Sequence, residues 1–194
     1  MTKKYLIILL FYLTKSTLGF SQADTTGTSW IQAGYFGENV THYGFSVGYG
    51  YSLYDRPIFN DRRGKIKLHQ LYVEPNLSFF VHPNNQFFMG LLPDLGYKFT
   101  THTNWNFQLG IGAGVVRTFY NAETFEADGN GGFEKIKLAG KWSLGTTISA
   151  GFGKAIDKKK LLVLCSQFRL VNEHFYNQKT LLRPIFQFGI SKKI

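Results

Sequence analysis

Four charged residues of this 194-residue chain, Glu74, Asp94, Lys98 and Arg169, each lie in a stretch that otherwise alternates apolar with small or polar side chains. If all four share the small-residue face, two carboxylates and two cations converge with Gln70, Tyr72, Asn76, Ser78 and Gln167. Charges enclosed in so small a space must be paired or hydrated. The chemistry open to such a set is a polar network that holds a core together or lines a pocket. Elsewhere the chemistry is thin. His42, His69, His82, His102 and His174 fall in different segments and show no metal-ligand spacing, so neither a metal nor another cofactor is expected. Cys165 is the sole cysteine, which excludes a disulfide framework, and its strand-like surroundings read as burial. Asn172-Glu173-His174-Phe175-Tyr176-Asn177 is the one local group that sets a base beside an acid, and acyl transfer would also need an activated hydroxyl. Tyr120–Gly132 carries Glu123, Glu126 and Asp128, which reads first as a solvated acidic loop and secondarily as a contact for a cation or a basic partner.

The elements that would position these residues are strands. Between Thr41 and Asp55, residues Tyr43, Phe45, Val47, Tyr49, Tyr51 and Leu53 alternate with Gly44, Ser46, Gly48, Gly50 and Ser52. A period of two puts one set on each face of a β-strand. The split recurs in Trp105, Phe107, Leu109, Ile111, Ala113 and Val115, and again in Trp142, Leu144, Thr146, Ile148, Ala150 and Phe152. Eight strands are expected, over about 28–37, 41–54, 65–80, 86–100, 104–119, 133–153, 160–171 and 182–191. Most reach or exceed the roughly 9–11 residues with which a tilted strand crosses a bilayer. Turn chemistry separates them at Gly37-Glu38-Asn39, Pro83-Asn84-Asn85, Asp128–Gly132 and Asp157–Lys160.

A soluble barrel of the lipocalin type would turn the aromatic face inward and leave rows of Gly and Ser in water, where soluble barrels place Lys, Glu and Thr. A membrane barrel inverts this, with apolar and aromatic side chains outside and small or polar ones in the lumen. The pattern favours the membrane barrel, an all-β, eight-stranded antiparallel up-and-down meander, with the soluble exported ligand carrier as the alternative. With both termini periplasmic, Asp55–Gly64, Thr101–Thr103 and Lys154–Lys159 are periplasmic turns, and Phe36–Val40, Val81–Asn85, Tyr120–Gly132 and Val171–Leu181 face outward. Asp55-Arg56 and Asp61-Arg62-Arg63 then read as solvated turn charges. The inward glycines either make room for Tyr72, Phe88 and the arginine or leave a pocket for an acyl chain or other small ligand.

Residues 1–21 read as an export signal: Lys3 and Lys4, an apolar run from Tyr5 to Leu13 too short to span, then Gly19 and Ser21 before a cut at Gln22. The remainder, 22–194, is one domain. Formal charge is +10, of which the leader's Lys3, Lys4 and Lys15 hold three, leaving +7. A basic exported chain meets anionic headgroups, lipopolysaccharide phosphates or acidic glycans, and not nucleic acid.

The chain resembles the small eight-stranded outer-membrane β-barrel proteins of Gram-negative bacteria, whose long Gly-rich runs are like Leu109-Gly110-Ile111-Gly112-Ala113-Gly114-Val115. The resemblance implies a structural, interaction or small-ligand role in the cell envelope, with outer-membrane lipid, lipopolysaccharide and an envelope protein as the partners to expect. The family's final aromatic residue is replaced by Ser191-Lys192-Lys193-Ile194 after Phe186, Phe188 and Ile190. Some barrels of this size are lipid A-modifying enzymes. Their deacylase members carry a serine two residues after the histidine, where this chain has Tyr176, so no catalytic residue is assigned.

Overall fold

Alternating side chains along every wall strand drive the chain into a ring, because only closure buries the polar face and leaves no unpaired edge. The computed structural model describes residues 27–38, 42–60, 65–83, 86–127, 132–176 and 179–194. The expected export signal and Asp128 lie outside them. The wall runs through β1 (Ser29–Gly37), β2 (Gly44–Asn60), β3 (Lys65–Glu74) with β4 (Asn76–His82), β5 (Gln86–Leu91) with β6 (Asp94–Thr100), β7 (Trp105–Tyr120), β10 (Gly140–Ala155), β11 (Leu162–Tyr176) and β12 (Lys179–Lys193). A small hairpin of β8 (Phe125–Ala127) and β9 (Phe133–Lys135) stands apart as a second sheet.

Every wall pairing is antiparallel. β1 pairs with β2 from Ser29↔Tyr51 to Tyr35↔Phe45, and with β12 from Trp30↔Lys193 to Gly37↔Phe186, which closes the ring. β3 and β4 form one stave interrupted at Pro75, and β5 and β6 another interrupted at Pro93, because proline has no N–H for the ladder. The eight expected strands are therefore the eight staves. The faces divide as a membrane barrel requires: Leu109 is 63% and Ile148 66% exposed on the outside, whereas Val116 and Arg169 are fully buried within.

Several boundaries differ from expectation. β2 extends to Asn60, pairing with Lys65, so Asp55 is not in a turn. A register shift between Ser52 and Tyr54 leaves Leu53 and Tyr54 both exposed and swaps the parity beyond them, which turns Asp55 inward. The expected strand 133–153 is two elements. Residues 133–135 pair with β8, and the wall strand starts only at Gly140, after Leu138 at a φ of 57°. β11 continues to Tyr176, because Glu173 and Val171 keep facing the lumen where a loop was expected.

Candidate functional site

The lumen is stacked in layers that can be read along single strands. On β11 the inward residues in order are Gln167, Arg169, Val171 and Glu173; on β12 they are Gln187, Ile185 and Arg183. Both strands start polar and end charged beyond an apolar residue, with Arg169 adding a charge between Gln167 and Val171 on β11. The central layer holds Asp94, whose carboxylate accepts from Arg169 Nη2 at 2.8 Å, Thr147 Oγ1 at 2.8 Å and Ser149 Oγ at 3.4 Å. Beside it, Glu74 accepts from Trp30 Nε1 at 2.9 Å, and Lys98 Nζ stands 4.2 Å from the centre of the same indole. Trp30 thus connects an acid and a base that do not touch, and it packs edge-on against Tyr72 with ring centres 5.6 Å apart.

Space for these large side chains comes from glycine. A Cβ on Gly50 would lie 1.9 Å from the Trp30 ring, and one on Gly96 would lie 2.4 Å from Tyr72. A Cβ on Gly90 would meet Phe88 at 2.9 Å. At these positions the lumen is filled by side chains.

Toward the termini, Gln70 Nε2 donates to Asp55 Oδ1 at 2.9 Å, and Ser52 and Thr28 donate to the same carboxylate. On the other side of the charged layer lies an apolar one of Phe36, Phe80, Phe88, Leu92, Val116, Val171 and Ile185, all fully buried. Phe80 and Phe88 stack at 4.5 Å between ring centres. Above it Arg183 bridges two carboxylates, Nε to Glu173 and Nη1 to Glu38, each at 2.5 Å. At the same mouth His42 and His82 stack with ring centres 3.8 Å apart.

The structure therefore brings Glu74, Asp94, Lys98 and Arg169 into one buried layer with Tyr72, and places Gln70 and Gln167 in the lumen nearer the termini. Glu123 lies in the connection between β7 and β8 and pairs with Lys135; Glu126 faces Glu134 across the β8–β9 hairpin. Among the described residues no group of three His, Cys, Asp or Glu side chains is placed to hold a metal. Sequence reasoning missed Trp30, Asp55 and the Glu38–Arg183–Glu173 bridge. Trp30 was detectable, because it shares parity with Gln32 and Gly34; the other two depend on the bulge and on the true length of β11.

On the outer wall Arg117 sits between the Phe119 and Trp142 rings, at 4.7 and 4.9 Å from their centres. His174 Nε2 lies 3.0 Å from Thr146 Oγ1. No described carboxylate orients that imidazole.

No family model and no curated protein matches the sequence. Solved structures do. Ail, the attachment invasion locus protein of Yersinia pestis, superposes with a TM-score of 0.50 at 11% identity, over 87% of this chain and 97% of Ail. Neisserial surface protein A aligns at 11% identity over 87% of this chain and 94% of its own, with a TM-score of 0.43. OprG of Pseudomonas aeruginosa aligns at 12% identity over 87% and 96%, with a TM-score of 0.42. The superposition on Ail shows the fold: an eight-stranded β-barrel of the Gram-negative outer-membrane type.

Proposed function

We propose that this barrel, seated in the outer membrane of a Gram-negative cell, is a sealed envelope protein that works through its surface and not through its bore. The observation that carries this reading is the apolar layer of Phe36, Phe80, Phe88, Leu92, Val116, Val171 and Ile185 lying across the lumen between two ionic layers. A solute or hydrated ion has no polar route past it. The surface offers two contacts at the outward end. The β8–β9 hairpin exposes Phe125 and Phe133, 53% and 79% accessible, and fits an envelope protein partner. Arg117, held between two rings on the wall, offers a guanidinium that suits lipopolysaccharide phosphates.

Protein reconstituted in planar bilayers is expected to give no discrete conductance. A variant with Phe36, Phe80 and Phe88 all replaced by Ser is expected to conduct if it still migrates as a heat-modifiable barrel. Steady single-channel currents from the unaltered protein would overturn the sealed reading. A second reading, acyl transfer on lipid A, draws on the His174–Thr146 contact at the lipid-facing wall. It requires that lipid A extracted from expressing cells lose an acyl chain, and that His174→Ala abolish the loss without changing barrel mobility.

A further inference from the structure

The terminal end of the barrel differs in charge from the outward end, and its lipid-facing cations are arranged in a pattern. Among the described residues, Lys67, Lys154, Lys192, Lys193 and the Lys158–Lys160 turn lie at this end, where Ile194 N bonds Ser29 O and the two ends of the wall meet. The described carboxylates here are Asp55 and Asp157. Asp55 is held in the lumen by Gln70, Ser52 and Thr28, and Asp157 accepts the backbone N–H groups of Leu161 and Leu162. Neither carboxylate neutralises the lysines.

Four of the described cations at this end, Arg56, Lys67, Lys154 and Lys192, face outward, and two of them stand over aromatic rings. Lys67 Nζ lies 5.7 Å from the centre of the Phe99 ring, and Lys154 Nζ lies 5.1 Å from that of Trp105. Parity places all four side chains outward, since they continue the exposed series Leu71, Tyr97, Phe107 and Phe152 on their strands. β3 pairs with β6, β6 with β7 and β7 with β10, so the order around the wall is Lys67, Phe99, Trp105, Lys154. Two ammonium groups thus flank two aromatic rings across four adjacent staves at the terminal end of the wall. Lysine stems lie along apolar surface and carry their charge to the headgroup level, and rings at that depth prefer the interface.

We infer that Lys67, Phe99, Trp105 and Lys154 form a clamp for the phosphodiester headgroup of an anionic phospholipid in the periplasmic leaflet. The inference rests on the proposed membrane seating, with the termini on the periplasmic side. Charge complementarity identifies the occupant: cations with no described carboxylate partner stand beside apolar wall, and a zwitterionic lipid would present its own cation to them. A phosphatidylglycerol headgroup carries one net negative charge and acyl chains that continue along Tyr97, Phe107 and Phe152.

The test is native mass spectrometry of the full barrel released from zwitterionic micelles doped with equal amounts of phosphatidylglycerol and phosphatidylcholine. Phosphatidylglycerol is expected to be retained in preference. Removing two headgroup-level cations, Lys67→Gln/Lys154→Gln should lower the preference roughly tenfold or more. Lys137→Gln/Lys141→Gln, at the outward end, should leave it unchanged. Equal retention of the two lipids, an undiminished preference in the first variant, or an equal fall in the second would each overturn the clamp. Every sample is run on a gel with and without boiling. A barrel that shifts on heating but shows no lipid preference refutes only the clamp, whereas absence of the shift in the unaltered protein refutes the membrane seating itself.

Discussion

Arg169 donates to Asp94 at 2.8 Å across 75 residues of sequence, and both side chains are buried in the lumen. The pair ties β11 to the stave containing β6 across the bore, so it senses whether the ring has closed. Its guanidinium is only partly satisfied, with Nε and Nη1 lacking a protein partner. Removing Asp94 would then strand a buried cation, at a cost of about 3–5 kcal/mol. Asp94→Ala is expected to lower the urea midpoint of the refolded barrel sharply. Asp94→Ala combined with Arg169→Met should recover most of the loss, because neither member of the pair then remains as a stranded charge. A double variant no better than the single one would show that the pair is not what holds the layer.

Gly50 and Trp30 are register partners, and the indole occupies the space a side chain on Gly50 would need. Gly50→Val should prevent formation of the heat-resistant species. Trp30→Ala alone removes a large buried ring and should cost about 3–5 kcal/mol. In combination the two changes should be less harmful than their sum, a coupling a double-mutant cycle reads directly. Strict additivity would mean that the two side chains do not compete for one site.

Arg183 stands between Glu173, fully buried, and Glu38, part-exposed at 17%. The two acids should therefore respond differently. Arg183→Ala leaves Glu173 buried beside no cation and should destabilise by about 3–5 kcal/mol. Glu38→Gln, nearer water, should cost about 1 kcal/mol or less. Denaturant midpoints that rank the two variants in the opposite order would contradict this assignment.

The walls were legible in the sequence because a strand repeats every two residues, and a repeat over ten positions leaves little freedom in the assignment of faces. Parity alone puts Gln70, Tyr72, Glu74, Asp94, Lys98, Gln167 and Arg169 on one face, and all seven side chains are buried. Parity fails where one extra residue enters a strand. The irregularity at Leu53 carried Asp55 from an expected turn into the lumen. Nor does parity say which inward residues meet across the bore. The Trp30 contacts with Glu74 and Lys98, and the bridge from Glu173 through Arg183 to Glu38, depend on strand tilt and stagger, which no single strand encodes.

Asp157 caps the turn joining β10 to β11, accepting Leu162 N–H at 2.8 Å and Leu161 N–H at 3.1 Å, with Lys160 beside it at a φ of 58°. Desolvation works to raise its pKa, but the backbone hydrogen bonds it accepts, from Leu162 and Leu161 first, together outweigh it and hold the carboxyl below its ordinary value. A depressed folded value means that the cap's contribution is fully present above the ordinary value of about 3.9 and is lost as pH falls through the folded one. The Leu162 amide proton, followed by NMR in micelles, should titrate with a midpoint below about pH 3.9. Asp157→Asn should abolish that titration and make the turn's amide exchange independent of the carboxyl. A midpoint at or above the ordinary carboxylate range would show that the cap does not favour the charged form.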